Sequence, residues 1–218
     1  MKLLSGEPSQ AARWVEAAAA CGIVEAQVRL GRMLLAGEGF AKDARGAFVC
    51  FQRAAESDDA EALNMLGRCY ENGWGTDVDL ESAALCYRRA AEQGLAWAQY
   101  NLGHMLLDGA GVPRDLNAAF LWYRRATEQG HARAMNLLAR CCEEGWGCAR
   151  DPAAARRWYG KSAEGGYFRG AFNYACVLAE DGRREEAAMW LAQALADAPE
   201  PTRSHMQRTL LSMPGTIA

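Results

Sequence analysis

Apolar residues at helical spacing alternate with glycine-centred breaks along most of the chain, and the alternation has a fixed period. A large apolar residue followed by glycine or alanine recurs every 36 residues, and two loop glycines and an aspartate follow most copies at constant distance. A period of this length predicts a stack of two-helix units rather than one globular core. The recurring pairs are Leu30-Gly31, Leu66-Gly67, Leu102-Gly103, Leu138-Ala139 and Tyr174-Ala175.

The unit at residues 95–130 shows how each copy is expected to fold. Gly109 and Gly111 are expected to end the first helix, helix A, because glycine adopts a left-handed φ without a steric penalty. Asp115 is expected to cap the second helix, helix B, by accepting hydrogen bonds from free N–H groups. The predicted apolar stripes are Ala98, Leu102, Met105 and Leu106 in helix A, and Ala118, Ala119, Trp122, Tyr123 and Ala126 in helix B.

The same frame extends over the 218 residues, which we interpret as a single repeat domain. A lone helix B is predicted at 7–22, starting at Glu7-Pro8, and a shortened hairpin without the second loop glycine is predicted at 167–198. Residues 199–218 are predicted to cap the exposed end, with a helix from Thr202 to Leu211, because terminal repeats need a cover. The four full hairpins between these segments are predicted at 23–58, 59–94, 95–130 and 131–166.

These elements resemble the Sel1-like repeat, a relative of the tetratricopeptide repeat with a longer loop. The third unit carries the matching Ala-x-x-x-Leu-Gly, Gly-x-Gly-Val and Ala-x-x-Trp-Tyr elements, ending at Gly103, Val112 and Tyr123. The resemblance covers roughly residues 7–198. It implies an all-α fold, an α/α right-handed superhelix (solenoid) of helix-hairpin repeats, which binds other proteins and has no chemistry of its own. Disulfide-linked members carry cysteines at positions that are here Ala55, Ala91, Thr127 and Ala163, so that pairing is not expected.

Composition and charge narrow the class of partner. The net charge of −3 provides no basic field for a nucleic acid, and no run of about 20 apolar residues predicts a membrane span. The first ten residues lack the apolar core of a signal peptide, so we expect a cytoplasmic protein. The eight cysteines are then expected to be reduced and mostly buried. The alternative is an exported protein with disulfides.

The sequence contains little that predicts catalysis or metal binding. The three histidines have no metal-ligand spacing, and no phosphate-binding or nucleophile motif occurs. Cys141, Cys142 and Cys148 form the densest thiol cluster. Core packing is favoured there over a zinc site, because structural zinc is usually held by Cys-x-x-Cys pairs. We therefore expect no enzyme activity, no cofactor and no small-molecule substrate.

Variable positions on the A helices predict where a partner binds. In a stack of hairpins the A helices line the concave side, and positions four residues apart share one helix face. These positions carry asparagine, arginine and aromatic residues, which suit a peptide backbone, a carboxylate and an apolar anchor. The competing hypothesis is a solvated helix face. The predicted partner-binding residues are Arg32, Asn64, Arg68, Trp97, Tyr100, His104, Arg133, Asn136, Arg140 and Arg169.

Charge changes along this face and predicts an orientation for the partner. Glu25 and Glu61 lie toward the N-terminal part, whereas Arg133, Arg140 and Arg169 lie toward the C-terminal part. We therefore predict that a protein or peptide partner places an acidic segment at the three arginines.

Two alternatives stay open at the level of sequence. In one, the protein is a regulatory subunit that docks on a folded enzyme through its B helices or its end caps. The other concerns Trp74 and Trp146, which lie between the loop glycines. They either pack on the adjacent hairpin, which is the favoured interpretation, or contact a partner.

Overall fold

The computed structural model describes the backbone of residues 9–212 and the side chains of residues 9–208. Within this range all the regular secondary structure is α-helical, so the predicted all-α fold of helix hairpins is confirmed. The chain divides into two compact units, 1–114 and 115–218. Unit 1 contains α1 (Gln10–Ala20), α2 (Val24–Ala36), α3 (Ala44–Ala55), α4 (Ala60–Asn72), α5 (Leu80–Glu92) and α6 (Ala96–Asp108); unit 2 contains α7 (Leu116–Glu128), α8 (Ala132–Glu144), α9 (Pro152–Glu164), α10 (Phe168–Glu180), α11 (Arg184–Asp197) and α12 (Glu200–Ser212).

Helix ends follow the sequence signals closely. The A helices α2, α4, α6 and α8 each end at a left-handed glycine, and the B helices α3, α5, α7 and α9 each start at an aspartate. Each aspartate accepts a hydrogen bond from the third residue of its helix, as Asp43 does from the Gly46 amide at 2.8 Å. The glycines are Gly37, Gly73, Gly109 and Gly145, and the aspartates are Asp43, Asp79, Asp115 and Asp151.

The terminal helices are fixed by other side chains. In α1 the Ser9 hydroxyl accepts a hydrogen bond from the Ala12 amide. Glu7 and Pro8, expected to start this helix, lie outside the described residues. In α12 the Arg203 guanidinium donates to the carbonyls of Leu195 at 2.8 Å and Ala198 at 3.0 Å. These bonds tie the C-terminal helix to carbonyls that α11 leaves free at its own end.

The second loop glycine brings each loop against the preceding B helix. A Cβ on Gly75 would lie 2.2 Å from the Ala44 carbonyl oxygen, and one on Gly111 would lie 2.1 Å from the Leu80 oxygen. Both glycines also have positive φ. The loop between the two helices of one hairpin therefore rests on the first residue of helix B of the preceding hairpin, at a distance that only glycine allows.

Aromatic residues of the B helices fill the interior of each hairpin. Tyr87 and Tyr159 are almost fully buried, and a Cβ on Gly67 would lie 2.8 Å from the Tyr87 ring. The phenol of Tyr87 donates to Glu71 at 2.6 Å, and that of Tyr159 donates to Glu143 at 2.7 Å. These bonds join helix A to helix B in the hairpins α4–α5 and α8–α9.

The cysteines are all unpaired in the structure. Cys69, Cys86, Cys141 and Cys142 are buried, whereas Cys21 is exposed and the others are partly buried. Across the described residues, no group of three or more His, Cys, Asp and Glu side chains is placed to hold a metal ion. None of the described helices has the length and apolarity needed to cross a membrane.

Candidate functional site

In unit 2 a cleft of about 410 Å³ opens on the face of helices α8, α10 and α12. Two exposed arginines, Arg140 and Arg169, stand beside the apolar side chains of Phe172 and Met206. No carboxylate within the described part of the chain forms an ion pair with either arginine. We call this the C-terminal cleft; it is lined by Asn136, Arg140, Arg169, Phe172, Asn173, Pro201, Thr202, His205 and Met206.

A pair of asparagines joins the two A helices beneath this cleft. The Asn173 side-chain amide donates to the Asn136 side-chain oxygen at 2.8 Å, and Asn136 is only 5% exposed. Asn136 was predicted to contact a partner. In the structure its side-chain oxygen bonds a neighbouring helix, so the pair fixes the spacing of α8 and α10 at the cleft.

The loop tryptophan holds the cleft arginine in place. The Arg140 guanidinium lies 5.0 Å from the centre of the Trp146 ring, and Trp146 is half-buried. A cation over an indole face is stabilised by about 0.5–1 kcal/mol at an exposed site. Stacking restricts the long side chain while its N–H edge can still fork onto a planar acceptor.

Unit 1 contains a second cleft, of about 530 Å³, between the ends of α2 and α4 and the loops that follow them. The Arg68 guanidinium stacks on Trp74, 4.9 Å from the centre of the ring. On the same helix, the Asn64 side-chain oxygen accepts a hydrogen bond from the Asn101 side-chain amide at 3.0 Å. Asn64 is 8% exposed. We call this the loop-edge cleft; it is lined by Arg32, Leu34, Leu35, Ala36, Lys42, Ala44, Met65, Arg68 and Trp74.

These features recur every second repeat, 72 residues apart. Four features occur together on α4 and again on α8. They are an asparagine pair between A helices, an arginine stacked on a loop tryptophan, a glutamate bonded to a buried tyrosine, and a side-chain cap on helix A. The corresponding residues are Asn64, Arg68, Glu71, Trp74 and Asp59 in unit 1, and Asn136, Arg140, Glu143, Trp146 and His131 in unit 2.

Buried contacts shift the pKa values of some of these groups. Burial and the hydrogen bond to Glu143 raise the pKa of Tyr159 far above its usual range. Burial, with a smaller contribution from Arg133, lowers the pKa of His131 to about 4. The imidazole is therefore neutral near pH 7, and its Nδ1 accepts a hydrogen bond from the Ala134 amide at 3.1 Å.

Five of the predicted partner-binding residues line neither cleft: Asn64, Trp97, Tyr100, His104 and Arg133. Arg32 borders the loop-edge cleft and pairs with Glu61 at 2.9 Å. Arg133 lies over the Tyr167 ring at 5.6 Å. Two ring contacts run along α6, where Trp97 meets Tyr100 edge-on at 6.2 Å and Tyr100 meets His104 at 4.8 Å.

Sequence reasoning missed several residues of the two clefts. Met206 and His205 belong to α12, which has no counterpart in the 36-residue frame and so carried no positional signal. Lys42 lies in a loop, outside the helix-A rows. The sequence pattern places Trp74 and Trp146 between the loop glycines, but it does not predict that each contacts an arginine of its own helix A. The signal was available, because both residues of each pair recur at 72 residues.

Comparisons with known proteins identify what the chain resembles. A model of the Sel1 repeat matches residues 5–23, 24–59, 60–95, 98–131 and 132–167. A Sel1 repeat protein from Oxalobacter formigenes is 27% identical with a TM-score of 0.80, over 92% of this chain and 84% of that one. Comparison with curated protein sequences gave no significant match.

Two further solved structures are similar. A protective antigen of uropathogenic Escherichia coli with the SLR fold is 30% identical with a TM-score of 0.75, over 92% of this chain. The chain spans only 43% of that antigen. A protein from Klebsiella pneumoniae is 17% identical with a TM-score of 0.61, over 90% of this chain and 98% of that one, and shows the shared fold alone.

Proposed function

The chain belongs to the Sel1 repeat family, within the tetratricopeptide-repeat-like superfamily, and on that premise we propose that it is a non-catalytic adaptor. Repeat folds of this class typically serve as protein-interaction scaffolds. The proposed partner is a protein or peptide segment that binds the A-helix face. Fold alone does not determine function, so the proposal depends on the surface that the helices present.

The observation that carries the proposal is the C-terminal cleft. Arg140 and Arg169 supply two positive charges without an ion-pair partner in the described chain, and Phe172 and Met206 supply apolar surface beside them. A concave site with apolar walls and a few convergent polar groups is typical of ligand recognition. The charge favours an acidic segment.

The asparagine and tryptophan contacts support a binding role over a purely solvated helix face. A solvated face needs no buried amide pair beneath it, yet Asn173 bonds Asn136 there. It also needs no ring to hold its arginine, yet Trp146 stacks on Arg140. Groups held in place before binding lose less conformational entropy when a partner binds, and this increases affinity.

The test is a selection from a random peptide display library on the full chain, followed by affinity measurements with the enriched peptides. We expect enrichment of peptides that place acidic residues next to apolar ones. The Arg140→Ala/Arg169→Ala variant should then bind about 100-fold more weakly, because each charged hydrogen-bonding group contributes about 1.5 kcal/mol. Arg124→Ala, an exposed arginine of α7, is the matched control.

Two outcomes of this experiment would contradict the proposal. One is enrichment of peptides without acidic residues. The other is unchanged affinity in Arg140→Ala/Arg169→Ala. Unchanged affinity in Arg68→Ala/Arg140→Ala would contradict the wider use of the arginines along the A helices.

A second candidate function is docking on a folded enzyme through the B helices. The observation in its favour is that Leu85 of α5 and Leu121 of α7 are 58% and 45% exposed. In that case either Leu85→Glu or Leu121→Glu, tested separately, should weaken binding of the partner, whereas Arg140→Ala/Arg169→Ala should leave it unchanged.

The proposal places the adaptor in a reducing, cytoplasmic environment. It is supported by the unpaired state of all eight cysteines in the structure. Thiol titration of freshly isolated, denatured protein should find all of them reactive. Recovery of few or none would indicate disulfides and an exported protein instead.

A further inference from the structure

We propose that the loop-edge cleft of unit 1 is a second binding site, which takes an apolar side chain flanked by carboxylates. The proposal rests on the proposed function, in which the partner is a protein or peptide segment. It adds a site away from the C-terminal cleft and names the chemistry that this site selects.

The walls of the loop-edge cleft are apolar. Leu34 and Leu35 come from the last turn of α2, and Met65 comes from α4. The volume of about 530 Å³ falls within the range of roughly 300–1,000 Å³ that small-ligand pockets occupy. An apolar side chain of a partner segment therefore has both the space and the surface that it needs.

The rim of the cleft is positively charged. Arg68 and Lys42 have no ion-pair partner among the described carboxylates, whereas Arg32 already pairs with Glu61. Among the described residues that line the cleft, none is acidic. Carboxylates on a partner would therefore find two uncompensated cations beside the apolar wall.

The key arginine is held in a defined position. Its guanidinium lies 4.9 Å from the centre of the Trp74 ring, and the Arg68 Nη1 approaches the Met65 sulfur at 3.7 Å. The Lys42 side chain crosses Gly37, where a Cβ would lie 2.9 Å from the lysine Cγ. Positioned charges recognise a carboxylate at a lower entropic cost than mobile ones.

The backbone around the cleft is also fixed. The loop that carries Trp74 rests on Ala44, where a Cβ on Gly75 would lie 2.2 Å from the Ala44 oxygen. The Arg45 guanidinium donates to the Gly75 carbonyl at 2.9 Å. The two sides of the cleft, at the start of α3 and in the loop after α4, are thus attached to each other before any partner binds.

The fold of the loop does not require a tryptophan at this position. Glu38 and Ala110 occupy the same place in the first and third loops, between glycines whose φ values lie between +67° and +80°. The loop around Trp74 has the same geometry, with φ of +68° and +73°. Trp74 is therefore explained by what it does in the cleft, which is to hold Arg68.

The experiment follows the indole N–H signals of the seven tryptophans by ¹⁵N–¹H NMR on the full chain. Trp74→Phe and Trp146→Phe assign the two relevant signals. The probe is a short capped glycine-serine peptide with a central Glu-Leu-Glu, and its Gln-Leu-Gln counterpart is the neutral control. We expect the glutamate peptide to shift the Trp74 signal saturably, and the glutamine peptide to bind at least fivefold more weakly.

Variants separate this proposal from the proposed function. Arg68→Ala and Lys42→Ala should each raise the dissociation constant measured from the Trp74 signal by about fivefold. Arg88→Ala, which changes an exposed arginine of α5, should leave that constant unchanged. A shift of the Trp146 signal alone would overturn the second site and would not contradict the proposed function. The absence of a shift at either tryptophan at millimolar peptide would also overturn the second site. Equal shifts with the glutamate and glutamine peptides would contradict the assigned chemistry.

Discussion

The close approach of the second loop glycine predicts a specific loss of stability in Gly111→Ala. The new Cβ would lie 2.1 Å from the Leu80 carbonyl oxygen and 2.3 Å from the Leu80 carbonyl carbon, where ordinary contact begins at 3.4 Å. The loop must therefore retreat by about 1 Å from α5, and overpacking of this kind costs about 1–3 kcal/mol. The φ of +67° adds about 1 kcal/mol for a residue with a Cβ.

Gly166→Ala is the matched control for this substitution. Gly166 also has a positive φ, of +77°, but a Cβ there would meet none of the described atoms within 4 Å. The control should therefore lose only the backbone contribution, about 1 kcal/mol. The difference between the two variants, about 1–3 kcal/mol, isolates the contact between the loop and the B helix.

The assay is urea unfolding of both variants, followed by far-UV circular dichroism. Gly111→Ala should unfold at a clearly lower urea concentration than Gly166→Ala, and thermal unfolding should show the same order, with roughly 2–4 °C for each kcal/mol. Equal destabilisation of the two variants would refute the reasoning, because the loop contact would then make no measurable contribution.

Three further predictions concern the hairpins of unit 2. Tyr159→Phe removes the hydrogen bond to Glu143 and should lower the free energy of unfolding by about 1–2 kcal/mol in urea titrations. Asn173→Ala removes the donor to the buried oxygen of Asn136 and should cost about 1–3 kcal/mol in the same assay; an unchanged midpoint would mean that the pair is not formed. His131 has a lowered pKa in the folded state, so the wild type should lose stability as pH falls from about 6.5 to about 4, because the unfolded chain binds a proton that the folded chain excludes. His131→Asn keeps a capping side chain and should lose less stability over that pH interval; an identical pH dependence would exclude His131 as its source.

Much of the fold could be predicted from the sequence because each repeat carries its own local signals. Asp115 and Gly109 define helix ends through their own backbone chemistry, and both act as predicted. The apolar stripe of helix A, including Leu102, is buried as its spacing indicated. These features depend on neighbours only a few residues away, which a single repeat already contains.

The clefts could not be predicted in the same way, because they depend on contacts between repeats that a single repeat does not contain. Asn136 was placed on the correct helix, but its bond to Asn173 joins residues that are 37 apart in sequence and belong to two different A helices. The close approach of Gly111 to Leu80 likewise joins a loop to the preceding hairpin. The C-terminal cleft also includes Met206, which lies in a segment outside the repeat pattern.

The central claim is that an acidic segment binds the A-helix face of unit 2 through its arginines. The most direct measurement is the affinity of a library-selected acidic peptide for the wild type, Arg140→Ala/Arg169→Ala and the Arg124→Ala control. The account predicts wild-type affinity for the control and about a 100-fold loss for the double variant. Equal affinity of all three proteins would contradict it.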